Sequence, residues 1–340
     1  MNLKELSEYL GLSPTTVSRA LGGYPEVSAK TRARVTEAAT RLNYNPSSKA
    51  RALATGRSLT IGHILSNRNK EELVSPISGD FLGGMAERCA DFGYSLSLTI
   101  AQPEQEEQTF RKIKAEGAID GIVLQLPRKD DPRIALMHEI GIPFIMHGRV
   151  TTDLPYSWLD VNNTRAFHRA TAFLMDLGHR RIGLVNGDEG VDFAVRRRAG
   201  YEMALKEGSA PLVPEFMTSG QMTEENGHAA VQKMLTHTNR PTAFVLSSIM
   251  QAIGARRAIQ EAGLQMGKDI SVVAYDDDLS YLSNRQDIPV FTAVRSSVRE
   301  AGQHVAAMLI NQVEAQTGSL CSKLLEAELV VGASTGPAPS

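Results

Sequence analysis

From Thr60 onward, short apolar runs are separated by longer amphipathic segments: TIGHIL, YSLSLTI, GIVLQL, PFIMHG, RIGLVNG, AFVLSS and SVVAYDD. Runs this apolar and short read as strands. Strands that alternate with helices make βαβ units, so the sheets are expected to be parallel. The alternation is too long for one sheet, and a chain of 340 residues exceeds what one hydrophobic core serves. Two doubly wound lobes with a cleft between them is the architecture it implies, because ligands of such sheets collect beyond the carboxyl ends of the strands.

The N-terminal segment has a different grain. Asn2 can cap a helix running from Leu3 to Leu10, with Glu5 completing a capping box and Leu3, Leu6 and Leu10 on one face. Gly11 ends it. Ser13 followed by Pro14 starts a second helix, which runs to about Leu21 with Val17 and Leu21 turned inward. A third extends from a Ser28 cap to about Leu42, burying Val35, Ala38, Ala39 and Leu42. A helix, a tight glycine turn and a short second helix form the helix-turn-helix pattern, in which the early residues of the second helix enter the DNA major groove. After Tyr44-Asn45-Pro46 the stretch SSKARALATGRS offers one large apolar residue, Leu53, too little to fold alone. It reads as a linker that can turn helical when held. The expected division is a head over residues 1–46, a hinge over 47–58 and a two-lobed core over 59–340.

Charge is divided along the same line. The whole chain is −2, yet residues 1–57 hold nine basic side chains against four acidic ones, a net of +5 that leaves −7 for the rest. A basic head on an acidic body fits nucleic-acid binding by one end. Composition argues against disorder and membrane spanning, and Lys4, Glu5 and Glu8 stand where an export signal needs an apolar stretch, so a cytoplasmic protein is expected. Cys89 and Cys321 lie far apart without metal-ligand spacing and read as reduced thiols, so neither a metal nor another cofactor is expected. No G-x-S-x-G elbow, P-loop, H-E-x-x-H or dinucleotide fingerprint occurs, and His179 before a strand reads as structural, so an enzyme is not expected.

The phrases LKELSEYLGLSPTTVSRAL, VSAKTRARVTEAATRLNYNP, ARALATGRS, LGHRRIGLVNG, RRRAGYEMAL and ISVVAYDD, in that order along nearly the whole chain, resemble the LacI/GalR family of bacterial repressors. The resemblance implies an α/β fold with a three-helix head, a hinge and a periplasmic-binding-protein-like core. It implies a homodimer that represses carbohydrate-utilisation genes by binding a near-palindromic operator, with a sugar-like effector between the lobes controlling that grip.

Residue by residue, it places Pro14, Thr15 and Arg19 against bases, and Ser13, Ser18 and Tyr44 toward phosphates, with Arg51 also at the DNA. Arg19 suits guanine, and Thr15 offers a hydroxyl or a methyl. Ser13 and Pro14 are equally read as helix starters. Leu53 matches the hinge leucine that wedges a base step in the minor groove. In the core it places Arg197 and Asp276 as a clamp on vicinal hydroxyls, Arg149 approaching from the other lobe, and Ser248 among the effector-binding positions. Phe193 or Trp158 could supply an apolar face for a sugar ring, or either could be core. The chain departs from the family in writing Ser248-Ile249 where Asn-Asp is usual, Ile77-Ser78 where paired aromatics are frequent, Asn162 for Asp and Ala293 for Thr. These departures keep the effector's identity open. The tail TGPAPS has no apolar heptads, so no C-terminal coiled coil is expected.

Overall fold

The structure, a computed structural model, describes residues 1–44, 57–66, 75–282, 284, 287–315 and 319–339. It divides into two compact units, Met1–Leu59 and Thr60–Ser340.

The first unit is built on α1 (Leu3–Leu10), α2 (Pro14–Leu21) and α3 (Ala29–Arg41). The Glu5 N–H donates to Asn2 Oδ1 at 3.0 Å and the Asn2 N–H donates to Glu5 Oε2 at 3.0 Å, a capping box that satisfies donors the first turn would leave orphaned. Gly11 takes φ 63°, a conformation cheap only for glycine, and turns the chain out of α1. Ser13 Oγ then caps α2 by accepting from the Thr16 N–H at 3.1 Å, ahead of Pro14, whose missing N–H is no loss at a first helical position. Leu6, Leu10, Val17, Val35, Ala38, Ala39 and Tyr44 form the core. Ala20, three residues beyond Val17, completes the inward face of α2, and Leu21 packs at its edge. Arg34 donates to the Leu10 carbonyl at 2.8 Å, tying α3 to the end of α1.

The second unit holds two six-stranded sheets. One contains β1 (Thr60–Ser66), β2 (Ser95–Ala101), β3 (Gly121–Gln125), β4 (Phe144–His147), β5 (Ser157–Val161) and β11 (Ser322–Leu325), in the order β11-β5-β4-β3-β1-β2, with every pairing parallel. The other contains β6 (Ile182–Asn186), β7 (Met217–Ser219), β8 (Ala243–Leu246), β9 (Ser271–Asp276), β10 (Thr292–Arg295) and β12 (Glu328–Val330), in the order β12-β10-β9-β8-β6-β7, with only β12 antiparallel. The first lobe carries α4 (Pro76–Asp91), α5 (Glu106–Glu116), α6 (Pro132–Ile140) and a helix late in the chain, α11 (Val298–Ala315). The second carries α7 (Asn163–Asp176), α8 (Asp192–Glu207), α9 (Glu224–Leu235) and α10 (Ile249–Glu261). The chain crosses between lobes after β5, after β10 and between β11 and β12.

Every residue of β6, β8 and β9 is buried, as expected for parallel strands covered on both sides. That is why they show in the sequence as unbroken apolar runs. The seven runs become β1 to β4, β6, β8 and β9; β5, with Trp158 inside it, and the short strands β7, β10, β11 and β12 carried no such run. His179 is structural, its ring nitrogens lying 2.9 Å from the hydroxyls of Thr242 and Ser271.

The lobes meet through segments that follow the carboxyl ends of their strands. Ser280, beyond β9, donates its N–H and its hydroxyl to the Asp80 carboxylate of α4 at 2.6 and 2.7 Å. The Asp192 N–H at the start of α8 donates to the Pro127 carbonyl at 3.0 Å, and Arg128 pairs with Asp188 at 3.7 Å.

Candidate functional site

In the head, Ser13, Pro14, Thr15 and Arg19 are exposed and Ser18 is half-buried, all on α2 or its cap. Pro14, Thr15, Ser18 and Arg19 line one depression of about 430 Å³, and Leu3 and Tyr24 complete it. Neither of those two was singled out from the sequence: Leu3 passes for a core residue, and Tyr24 lies in the turn after α2. Tyr44 is packed into the head's core, 9% exposed, and burial raises its phenol above the usual range. Arg51 and Leu53 lie outside the described residues.

In the core, Arg197 of α8 is the centre of the site. Its side chain is buried, with Nε donating to Asn163 Oδ1 at 2.8 Å and Nη1 donating to the Ser247 carbonyl at 2.8 Å. Three rings surround the guanidinium: Tyr275 at 3.9 Å, Phe193 at 4.7 Å and Phe167 at 5.1 Å from their centroids. Desolvation lowers its pKa, and attraction from Tyr275, Asp277 and Asp160 opposes that. Such faces stabilise a cation that has left water. The backbone fixes this geometry, because α8 crosses α7 at Gly200, where an added Cβ would stand 2.1 Å from the Thr164 carbonyl oxygen.

Among the described residues Asp276 makes no hydrogen bond to Arg197. Side chains alternate along β9, so Tyr275 joins the core beside Arg197 and Asp276 turns to the other face. There the Asp276 carboxylate accepts from the Asp278 N–H at 2.9 Å, with Asn284 and Arg295 also bearing on it. Two carboxyls act electrostatically on Arg197, Asp277, one residue on, more strongly and Asp160 less. Burial pushes Asp277 up to about 7, while Arg197 pulls it down and Asp276 pushes it up. Asp277 still keeps part of its surface accessible, unlike Asp276.

Ser248 is buried and spends its hydroxyl on the cap of α10, accepting from the Gln251 N–H at 3.1 Å. Its neighbour Ser247 supplies the carbonyl to Arg197 and donates its hydroxyl to Asn186 Oδ1 at 2.9 Å. Phe193 is half-buried with its ring on Arg197.

Arg149 stands apart from the Arg197 cage. Its Nε donates to Asp160 Oδ2 at 3.0 Å, and its guanidinium lies 5.1 Å from the centroid of the half-buried Trp158 ring. Burial pushes the Asp160 carboxyl up to about 6, against the pull of Arg149 and Arg196. The two arginines are joined indirectly, since Asn163 donates to Asp160 Oδ1 at 3.4 Å while accepting from Arg197.

On the first lobe, His147 stacks on Phe81 at 4.6 Å and lies 3.3 Å from the Gln125 side chain, at the carboxyl ends of β4 and β3. Burial and the repulsion of His63 push His147 down to about 4, leaving a neutral ring. Asn163, Asp160, Ser247, Gln125 and His147 were passed over in the sequence, and Asp277 reads there as part of a solvated acidic turn. For Asp277, Ser247, Gln125 and His147 the one available signal was their position at the ends of apolar runs; Asp160 and Asn163 had none, since β5 carried no such run.

Residues 2–47 match the family described as bacterial regulatory proteins, lacI family, and residues 58–326 match periplasmic binding proteins and sugar binding domain of LacI family. The chain belongs to the LacI family, and is a transcriptional regulator rather than an enzyme. It is 43% identical to the HTH-type transcriptional regulator AglR of Rhizobium meliloti, over 100% of this chain and 95% of that one. It is 33% identical to the HTH-type transcriptional regulator RafR of Escherichia coli, over 81% of this chain and 82% of that one. Among solved structures, the lac repressor dimer bound to operator and the anti-inducer ONPF superposes with a TM-score of 0.82 at 27% identity, covering 99% of both chains. The regulator CelR in complex with cellobiose gives 0.72 at 25% identity, covering 98% of this chain and 99% of that one. Among the described residues, no helix is long and apolar enough to cross a membrane.

Proposed function

We propose that this protein is a dimeric, cytoplasmic repressor that binds a near-palindromic operator through paired heads and changes its grip when a sugar enters the cleft. The observation that carries the reading is Arg197: a buried cation in a cage of three rings, with the carboxyl of Asp277 acting on it. A donor and an acceptor so placed suit the hydroxyls of a sugar, and Phe193 offers the apolar face that a pyranose ring needs.

The relatives support the same reading, since CelR binds cellobiose and the lac repressor dimer sits on its operator. In the head, Pro14, Thr15 and Arg19 face bases, while Ser13 and Ser18 lie toward phosphates. Arg51 and Leu53 serve the DNA from the hinge. In the cleft, Arg197 and Asp277 hold the sugar with Phe193, Ser248 holds the start of α10 beside Ser247, and Asp276 and Arg149 shape the site through their neighbours. To turn a mostly bound repressor into a mostly free one, the sugar must prefer one state by roughly 10⁴-fold.

The test is a thermal-shift screen of the purified protein against mono- and disaccharides, polyols and sugar phosphates, followed by operator binding with and without each hit. A sugar that raises Tm and changes operator affinity supports the reading. A panel without a single stabilising sugar, or hits that leave operator binding untouched, would contradict it.

A further inference from the structure

A second cavity, of about 400 Å³, lies against the first lobe's β4–β5 loop and reaches α8 of the second lobe. Its wall is Val150, Thr151, Thr152, Leu154, Pro155, Tyr156 and Trp158, together with two arginines, Arg149 from the first lobe and Arg196 from the second. No aspartate lines it, although each arginine is paired with one. Asp160 takes Arg149 Nε and is itself only 7% exposed, and Asp192 takes Arg196 Nε. The carboxylates therefore sit outside the wall and hold the guanidiniums in place, and the cavity receives the cationic edges. The terminal nitrogens of both arginines have no protein partner among the described residues.

From this we infer a second ligand site, one that takes a small molecule bearing a phosphate or carboxylate group. Paired guanidiniums give an oxyanion charge-assisted, forked hydrogen bonds, and the stacking of Arg149 on Trp158 fixes its orientation beforehand. Leu154, Pro155 and Trp158 leave an apolar wall for the remainder of the ligand, and the volume suits a molecule the size of a sugar phosphate. The site differs from the Arg197 cage: Arg196 and Arg197 are neighbours on α8, but about 100° of helix turn separates their directions.

Trp158 is the chain's single tryptophan, so its fluorescence reports on this cavity directly. The full-length protein is titrated with inorganic phosphate, glucose 6-phosphate, gluconate and glucose. A saturable change with phosphate or glucose 6-phosphate identifies a phosphate site, and one with gluconate identifies a carboxylate site. Glucose at the same concentrations should give none. Arg196→Gln should weaken the response about tenfold or more, the loss expected when a charge-assisted hydrogen bond is removed. Leu154→Glu, at a residue 40% exposed and so safe for folding, should abolish it by placing a carboxylate at the mouth. Silence with all the anions, a response equal for glucose, or titrations unchanged in both variants would overturn the inference.

Discussion

Arg197 is hydrogen-bonded at 2.8 Å to Asn163, the first residue of α7, directly after the chain has left β5 and crossed from one lobe to the other. Asn163 also donates to the carbonyl of Val161, the last residue of β5, at 3.0 Å. A ligand that draws on Arg197 therefore acts on the strand crossing itself. This gives a physical route from cleft occupancy to lobe geometry without a long chain of intermediaries.

The two carboxyls at the end of β9 should behave differently. Asp277→Asn removes the negative charge that acts on Arg197 and replaces one acceptor oxygen by a donor, and is expected to weaken sugar binding by about tenfold or more. Asp276→Asn disturbs the turn at Asp278, so it should lower Tm while leaving sugar affinity closer to wild type. Calorimetric titration and thermal unfolding on the same preparations distinguish them. Equal losses of affinity would restore Asp276 to the site.

Buried carboxyls raised to about 7 at Asp277 and about 6 at Asp160 hold protons in the folded core that the unfolded chain releases near pH 3.9, roughly the free aspartate value. Between about pH 4 and 7 the native state thus binds more protons, and these two groups make stability fall as pH rises through that window. The measurement is the Tm difference between wild type and Asp277→Asn, followed from pH 5 to 8. It should shift in favour of the variant as pH rises. Because an ionised carboxylate is the better acceptor of sugar hydroxyls, sugar affinity should rise over the same interval in wild type and stay flat in the variant.

Gly200→Ala drives a methyl group into the Thr164 carbonyl, at a contact where backbone meets backbone. Separating α8 from α7 should cost about 1–3 kcal/mol in denaturant unfolding of the core. It should also weaken sugar binding, since Arg197 then loses its reach to Asn163. A variant as stable as wild type would show that this crossing tolerates a side chain.

Arg19→Ala should reduce affinity for a selected operator by about 1–3 kcal/mol, with its fold retained, because Arg19 is exposed and outside the head's core. Circular dichroism checks the fold, and binding to operators substituted at one base pair locates the contact. An undiminished affinity would remove Arg19 from base reading.

The sequence made legible what depends on local rules. The capping box at Asn2 and Glu5, the left-handed Gly11 and the start of α2 at Ser13 are written in adjacent residues, and the structure shows all three. The central strands were legible because burial on both faces leaves no polar alternation to confuse them. The partners of the site residues were hidden because they depend on packing across long separations. Nothing in the sequence around Asp160 points to Arg149 and Asn163, which meet it only in the fold. Which face the last residue of β9 presents, with Asp276 turned from Tyr275 toward Asp278, is something three consecutive aspartates give no hint of. β10, four residues long and ending in an arginine, shows no run that could be recognised without its neighbours β9 and β12.

The most direct test is operator binding by fluorescence anisotropy at one fixed salt concentration, with and without a saturating sugar hit from the screen, for wild type and Arg197→Lys. Lysine keeps the charge but cannot reach both Asn163 and the Ser247 carbonyl with a planar fork. The expected result is a wild-type operator affinity that changes by about tenfold or more on adding sugar, a typical allosteric coupling. The variant should bind the operator as wild type does without sugar and not respond when sugar is added. A variant whose operator affinity follows the sugar as in wild type would contradict the assignment of Arg197 as the residue that senses the effector.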